Sequence, residues 1–484
     1  MGISNLFDVA NSALTAQRLA IEVAGENIAN VNTEGYSRQQ VVMANKPVTT
    51  SNGFPLGSGV QIQAIQRSYD GMLQQQLING NATYQQNLTK QTALDQIEPS
   101  FNELATDGLG ASLDSFFGSF QDLSTNPQGA AERQAVLTKS QDLIDTFHQM
   151  NQSLSNVVST SNNNLVGITA DVSSLAKNLA DLNGQIVSTG AVAGNANELL
   201  DQRDLLIRKL SEKVGITSTI QSDGTASIAV PGGQQLVSGT KYASLYTKAS
   251  GTPSSNSILI SALGNPPYQV AASDTNVTGS IGGINNALGQ IGGTLQVRDT
   301  IVPGYINKLD ELAGQLVSSV NTQHAAGYGI DGPPATTGHN FFSATGTTAA
   351  TIGLDSTLTA STIAAGFPTA TDPAPTSAGN NQNALKLANL QKANYSFSTG
   401  QATMAGFYNT LVSTVGLDTQ SATSSTTQGA AFLKQLTTLR ESNSGVSLDE
   451  ELVNLTKYQQ SFQGAAKALN TATEMLDTVL GLIR

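Results

Sequence analysis

The chain has 484 residues, no cysteine, no tryptophan, 5% aromatic and 12% charged residues, and a formal net charge of −12. With no basic surplus to neutralise phosphates, nucleic acid is excluded as the main partner, and the same charge disfavours anionic membranes. Absence of cysteine removes disulfides, thiolate catalysis and cysteine-ligated metals together.

Such a length suits about two to four domains. Few large side chains are available for a thick core, so an elongated helical architecture fits better than a globule. No window approaches the ~18 consecutive apolar residues of a membrane span. The opening "MGISNLFDVANSAL" lacks a basic and then continuously apolar leader, so no cleaved secretory signal is expected, and Leu6 spoils a myristoylation match.

Residues 3–28 carry apolar positions at alternating steps of four and three: Ile3, Phe7, Ala10, Leu14, Ile21, Ala24 and Ile28, with Gln17 the polar member. That 3.5-residue period predicts a helix packing along a seam. It runs directly into "NIANVNTEGYSRQQ". Asparagine is a poor helix former and a good turn former. Asn27 and Asn30 share one helix face, Asn32 and Gly35 supply turn conformations, and an extended arm, "YSRQQVVMANKPV", is expected to follow.

Helical patterns continue at about 72–98, 130–187, 197–213, 297–325 and 400–440. The 130–187 run keeps its seam from Leu137 to Ile186, long enough for roughly 85 Å of helix, with Gly167 as a possible bend. Between 215 and 275, short runs such as "ASIAV" and "SILIS" alternate with "SDG", "PGG" and "SGT", the pattern of β-hairpins. Residues 327–382, rich in Gly, Pro, Thr and Ala, read as a loop-rich insertion. The C-terminus holds a second seam: Leu448, Leu452, Leu455, Gln459, Phe462, Ala466, Leu469, Thr473, Leu476, Leu480 and Ile483. Ser447 and Glu450 form a capping-box pattern, and Asp449, Glu450 and Glu451 suit the positive first turn. A seam held to the end of the chain is expected to be buried against something.

Catalytic and ligand-binding patterns are missing. His148, His324 and His339 have no ligand spacing and read as packing or surface residues. "GQIGGTLQVRD" at 289–299 lacks both the dinucleotide fingerprint and a P-loop lysine. In "NELLDQRDLLIRKL", Asp204 and Arg208 are expected to pair at i,i+4 while Leu200, Leu206 and Leu210 are buried. No enzyme, cofactor or metal is expected.

"NIANVNTEGYS" and the two terminal seams resemble the rod and hook axial proteins of the bacterial flagellum. "DSFFGSFQDLSTNPQGAAERQAVL", "NELLDQRDLL", "NTQHAAGYGIDG" and "SGVSLDEELVNL" resemble the hook-associated protein 1 (FlgK) branch, as does "GYSR" after the asparagines. The resemblance touches nearly the whole chain, outside the β module and the 327–382 insertion.

It implies a mainly α fold: an elongated shaft of long helices with paired N- and C-terminal coiled-coil helices and a small inserted β module. The expected division is a terminal assembly layer (1–32 and 444–484), a shaft (33–213, 276–326 and 383–443), a β module (214–275) and the insertion (327–382). Implied is a junction between hook and filament, with terminal regions unformed until assembly. The partners implied are hook protein, a second junction protein, a ring of like subunits, and an export chaperone on the C-terminal helix. Export through the flagellar channel to the outside is implied too. The expected assembly interface is Ile3, Phe7, Leu14, Ile21, Asn27, Ile28, Asn30, Gly35, Tyr36, Arg38, Leu448, Leu452, Leu455, Phe462, Leu469, Leu476, Leu480 and Ile483. Two alternatives stay open: a rod or hook subunit of the same family, and a secreted adhesin or hydrolase carried on the β module.

Overall fold

The computed structural model describes residues 2–481 except 52–53, 102–107, 194–195, 250–254, 265–273, 284–287, 333 and 369–376. The first seam forms helix α1 (Gly2–Ala29), and the arm after it becomes a ribbon, β1 (Gln39–Asn45). Strands β2 (Thr49–Ser51) and β3 (Phe54–Leu56) make its tip, and β4 (Val60–Arg67) returns antiparallel to β1 with an irregularity at Val42/Met43. The ribbon lies on α1: a Cβ on Gly59 would sit 2.3 Å from Ser12 Oγ, and Gly59 has φ +95°, so only glycine fits.

Then come α2 (Gly71–Ile97), α3 (Leu109–Thr125), α4 (Ala130–Ala193) and α5 (Asn197–Lys213). Asp70 caps α2 by accepting from the Met72 and Leu73 amides. At 64 residues, α4 spans about 96 Å and runs unbroken through Gly167. Its seam is largely internal: Ile144, Phe147, Leu154, Leu165, Val172, Leu179 and Ile186 are buried. Helix α3 was not anticipated; its Phe116, Phe117 and Phe120 are buried against α4.

The β module holds β5 (Thr217–Ile220), β6 (Ala226–Ala229), β7 (Gln235–Ser238) and β8 (Lys241–Tyr242) as one antiparallel sheet. Strands β9 (Leu245–Ala249), β10 (Asn256–Ile260) and β11 (Thr275–Asn276) form a second. The module does not merely project: Ile228, Leu236, Val237 and Ile258 share a core with Leu165, Val172 and Leu179 of α4. Asn183 fastens it, donating to the carbonyls of Ala226 at 2.9 Å and Gly239 at 2.8 Å.

Short α6 (Thr278–Gly282) precedes α7 (Gly289–Gln296), and a wide turn at Val297–Ile301 leads into α8 (Val302–Ala325). The glycine-rich 289–299 stretch serves helix contact. A Cβ on Gly293 would lie 2.7 Å from the Gln86 carbonyl oxygen of α2.

Beyond α8, residues 327–367 contain isolated bridges and turns, as expected of a loop-rich segment, but they are part of the core. Phe341, Phe342, Ile352 and Ile363 are all buried, and Phe341 and Phe342 meet Phe116 at 5.8 Å between ring centres. Dense Gly and Thr made the segment look peripheral, while two adjacent phenylalanines supply the apolar area that holds it. The chain ends through α9 (Gln382–Asn389), β12 (Tyr395–Phe397), β13 (Gly400–Ala402), α10 (Met404–Ser444) and α11 (Leu448–Gly481). Helix α10 packs first into the α3/α4/α8 core and then along α2, where Leu436 joins Leu73 and Leu77. The fold is mainly α, with long helices and a small β module.

Candidate assembly interface

Helix α1 packs on α11, and the end of α1 meets the start of α11. At that meeting point the asparagine-rich segment is organised around Asn27, which is 1% exposed. Its Oδ1 accepts from the Tyr36 hydroxyl and the Gln39 amide, both at 2.9 Å. Its Nδ2 donates to the Gln39 carbonyl at 2.9 Å and to Glu451 Oε2 at 3.2 Å. Four bonds satisfy one buried amide, so the helix end, the arm and the C-terminal helix are fixed together. Burial pushes the Tyr36 phenol well above its ordinary range, which keeps it a donor to Asn27.

Asn30 closes the helix end. Its Nδ2 donates to the Glu26 carbonyl at 3.1 Å and its Oδ1 accepts from the Thr33 hydroxyl at 3.1 Å. Gly35 then takes φ +88°. Arg440 of α10 donates to the carbonyls of Gly35 and Tyr36 at 2.8 and 3.2 Å.

Arg38 reads both ends of the chain. Its amide donates to the Ser444 carbonyl at 2.9 Å, and its guanidinium pairs with Glu450 at 2.9 Å and Glu451 at 2.8 Å. The acidic first turn of α11 therefore has specific partners as well as the helix dipole, a correction to its reading as a dipole device alone. The Glu450 carboxylate of the capping-box pattern is engaged by Arg38.

A second charged cluster lies behind the arm. Asp201 Oδ2 accepts from the Ser37 amide at 2.9 Å, and Arg67 donates to Asp201 at 2.8 Å and to Asp204 at 2.7 Å. Arg203 pairs with Asp204 at 2.7 Å and donates to the Gly224 carbonyl of the β module. Asn197 adds bonds to Gln39 Oε1 at 3.1 Å and the Ile65 carbonyl at 2.9 Å. This corrects the expected reading of α5. Asp201, Arg203 and Asp204 are buried, whereas Leu200 and Leu206 are only half-buried; Leu210 is buried as expected. Arg208 pairs with Glu34 at 2.6 Å, not with Asp204. Local i,i+4 attraction lost to charges brought from far along the chain.

In the single chain the terminal seams are buried only in part. Phe7, Leu14, Ile21 and Ile28 are half-buried, and Ala10 and Ala24 are buried. Ile3 lies in α1 with its side chain outside the described set, and Ile483 lies outside the described residues. On α11, Leu455, Phe462 and Leu469 are half-buried, whereas Leu448, Leu452, Leu476 and Leu480 are 46, 52, 40 and 55% exposed. Val453, Met475 and Val479 extend this apolar surface. One helix partner covers only part of a stripe wide enough for more than one neighbour, so the remainder faces solvent in the single chain.

The structure thus gathers Asn27, Gly35, Tyr36 and Arg38 into one polar junction, and leaves the leucines as a separate apolar face. Arg67, Asp201, Asp204 and Arg440 were not anticipated as members. The one signal for Asp201 and Asp204 was the acid–arginine pattern of the 197–208 segment, whereas Arg67 and Arg440 left none.

Among the described residues, no group of three His, Asp or Glu side chains is placed to hold a metal ion. No helix of the described residues is long and apolar enough to cross a membrane.

Residues 94–342 match the family described as the flagellar hook-associated protein FlgK helical domain. Residues 7–36 match the flagella basal body rod protein family, and 440–482 the flagellar basal body rod FlgEFG protein C-terminal family. Flagellar hook-associated protein 1 of Bacillus subtilis (strain 168) is 31% identical, covering 98% of this chain and 97% of the relative. Its namesake in Salmonella typhimurium is 29% identical, covering 99% of this chain and all of that one. The flagellar hook junction protein FlgK from Burkholderia pseudomallei shares the fold, with a TM-score of 0.65 at 18% identity, covering 76% of this chain and 99% of that one. With one relative above 30% identity across nearly its whole length, and the helical-domain match spanning half the sequence, the chain belongs to the flagellar hook-associated protein FlgK family.

Proposed function

We propose that the chain is a structural junction protein of the bacterial flagellum, joining hook to filament and assembling through its terminal helices. The observation that carries this reading is the exposed apolar face of α11, Leu448, Leu452, Leu476 and Leu480, beside a rigid polar junction. A soluble subunit gains nothing from such a face alone, whereas a ring of like subunits buries it. The assembly residues are Ile3, Phe7, Leu14, Ile21, Ile28, Leu448, Leu452, Leu455, Phe462, Leu469, Leu476, Leu480 and Ile483. Asn27, Asn30, Gly35, Tyr36 and Arg38 set the angle at which the helix pair leaves the shaft.

In this reading residues 1–32 and 444–484 form the inner layer, and 33–213, 276–326 and 383–443 the shaft. Residues 214–275 form the outer β module. The partners are hook protein on one side, a second junction protein on the other, and like subunits around the ring. An export chaperone holds the exposed α11 face before secretion, and the mature protein sits outside the cell. Relatives carry structural flagellar names, and the role proposed here is structural rather than catalytic.

The test is deletion of the gene and complementation. Deleted cells should make hooks without filaments and release flagellin into the medium, and the intact gene should restore filaments. Filaments of normal length on deleted cells would overturn the reading.

A further inference from the structure

The end of α4 remote from the terminal junction is closed by two buried basic side chains that act on one short segment. His324, at the end of α8, is 0% exposed. Its Nδ1 lies 2.7 Å from the His339 carbonyl, and its Nε2 lies 3.0 Å from the Ala364 amide nitrogen. A carbonyl on one side and an N–H on the other fix the neutral tautomer: Nδ1–H donates, and unprotonated Nε2 accepts. Arg133 of α4, 1% exposed, donates to the carbonyls of Pro127, Ala360 and Ile363 at 2.8, 2.9 and 2.8 Å. Asn383 takes the Ala364 carbonyl at 2.7 Å. Residues 360–364 are therefore gripped from three helices.

We propose that His324 is the acid-sensitive member of this clasp, and that its protonation releases the 339–367 segment from the shaft end. A proton on Nε2 removes the acceptor for the Ala364 amide and sets two N–H groups face to face. It also adds a second cation near Arg133, whose guanidinium is hydrogen-bonded to three neutral carbonyls. The charged and titratable groups around it are Arg133 on α4, His339 and Asp355 on the segment itself, and Asp331 ahead of it. Asp331 is engaged by Thr336, and Asp355 by the hydroxyl and amide of Thr357. Phe341 fills another side, its ring centre 5.3 Å from the imidazole. Burial pushes the imidazole down to about 4, against the pull of the His339 carbonyl.

The sign follows from linkage. A histidine depressed in the folded state costs nothing above its ordinary value near 6.5. It destabilises the closed form progressively as pH falls from there towards about 4.

The test uses the full-length chain and hydrogen exchange, corrected for intrinsic rate, on peptides spanning 355–367. Protection in the wild type should fall on the order of tenfold or more between about pH 7 and pH 4.5, while His324→Gln should change far less. Glutamine keeps a donor and an acceptor but cannot take the proton. Equal loss in the variant would assign the effect to the carboxylates and overturn the proposal, as would an unchanged wild type at pH 4.5. The imidazole proton resonances of the wild-type chain give a reading that does not depend on the variant folding. A His324 midpoint well below 6 supports the proposal, and one at or above 6.5 overturns it.

Discussion

Asn27 and Glu451 are separated by 424 positions and joined by one buried hydrogen bond of 3.2 Å, with Arg38 completing the contact at 2.8 Å from the same carboxylate. The three side chains connect the first helix, the arm and the last helix. Removing the carboxylate leaves Arg38 with the more exposed Glu450 alone and one Asn27 amide hydrogen without its acceptor in a buried site. Glu451→Ala should therefore weaken attachment of α11 by about 2–3 kcal/mol, Arg38 being partly open to water. Hydrogen exchange should show α11 amides losing protection while those of α4 keep theirs. Equal protection in both helices would mean the contact contributes nothing.

Asn27→Asp is a near-isosteric companion. It turns the donor to the Gln39 carbonyl into an oxygen and places a second carboxylate beside Glu451. The expected loss is at least as large as that of Asn27→Ala, and it should shrink as pH falls towards ~4, because a carboxyl held against another carboxylate takes up its proton more readily in the folded state than in the unfolded one. Denaturant titration of the helix pair at two pH values checks this.

The exposed leucines behave otherwise. Leu452 and Leu480 are 52 and 55% exposed, so Leu→Ala at either should leave the melting temperature of the purified subunit almost unchanged. In cells the same substitutions should reduce filament formation, because the apolar area counts only once neighbours bury it. A large drop in melting temperature with normal motility would sink the proposed role of this face.

Removing residues 1–32 should leave the shaft folded. The core of α3, α4, α8 and α10 and the core of the β module contain none of those residues. Circular dichroism should lose about the share contributed by α1 and α11, 28 and 34 residues, with the near-UV signal of the phenylalanine and tyrosine core retained. Collapse of most helical signal would contradict separate folding.

Gly293→Ala tests the glycine-rich stretch as a helix contact. The new methyl would stand 2.7 Å from the Gln86 carbonyl oxygen and 2.9 Å from Thr89 Cβ, so α7 must move off α2. A loss of about 1–3 kcal/mol is expected from such overpacking. Gly304→Ala, which meets nothing within 4 Å, is the control.

Periodicity made most of this fold legible. The 197–213 pattern coincides with α5, and the 3–28 and 72–98 patterns match α1 and α2 within a residue at each end. Those helices have regular stripes because each packs along its length. The hairpin signals held for the same reason at period two, with Gly224 and Gly232 in the positive-φ turns that "SDG" and "PGG" promised. Helix α3 was missed because its phenylalanines cluster at 116, 117 and 120 instead of marking a long stripe. Arg67 could not be read at all. Its partners Asp201 and Asp204 lie 134 and 137 positions away, and a local rule offered Asp204 a nearer cation. Long-range charge pairing leaves no period in a sequence, whereas apolar packing does.

The 424-residue reach of the Asn27 contact also sets an order of events. A chain that emerges amino end first carries Asn27 and Arg38 into the open long before Glu450 and Glu451 follow. Through nearly all of that interval the arm has no C-terminal partner, while α3, α4 and the β module can already settle. A product cut short before residue 450 would keep a folded shaft yet present a bare guanidinium at its root. The junction thereby acts as a check on progress, closing only on a chain that has arrived as far as Glu451.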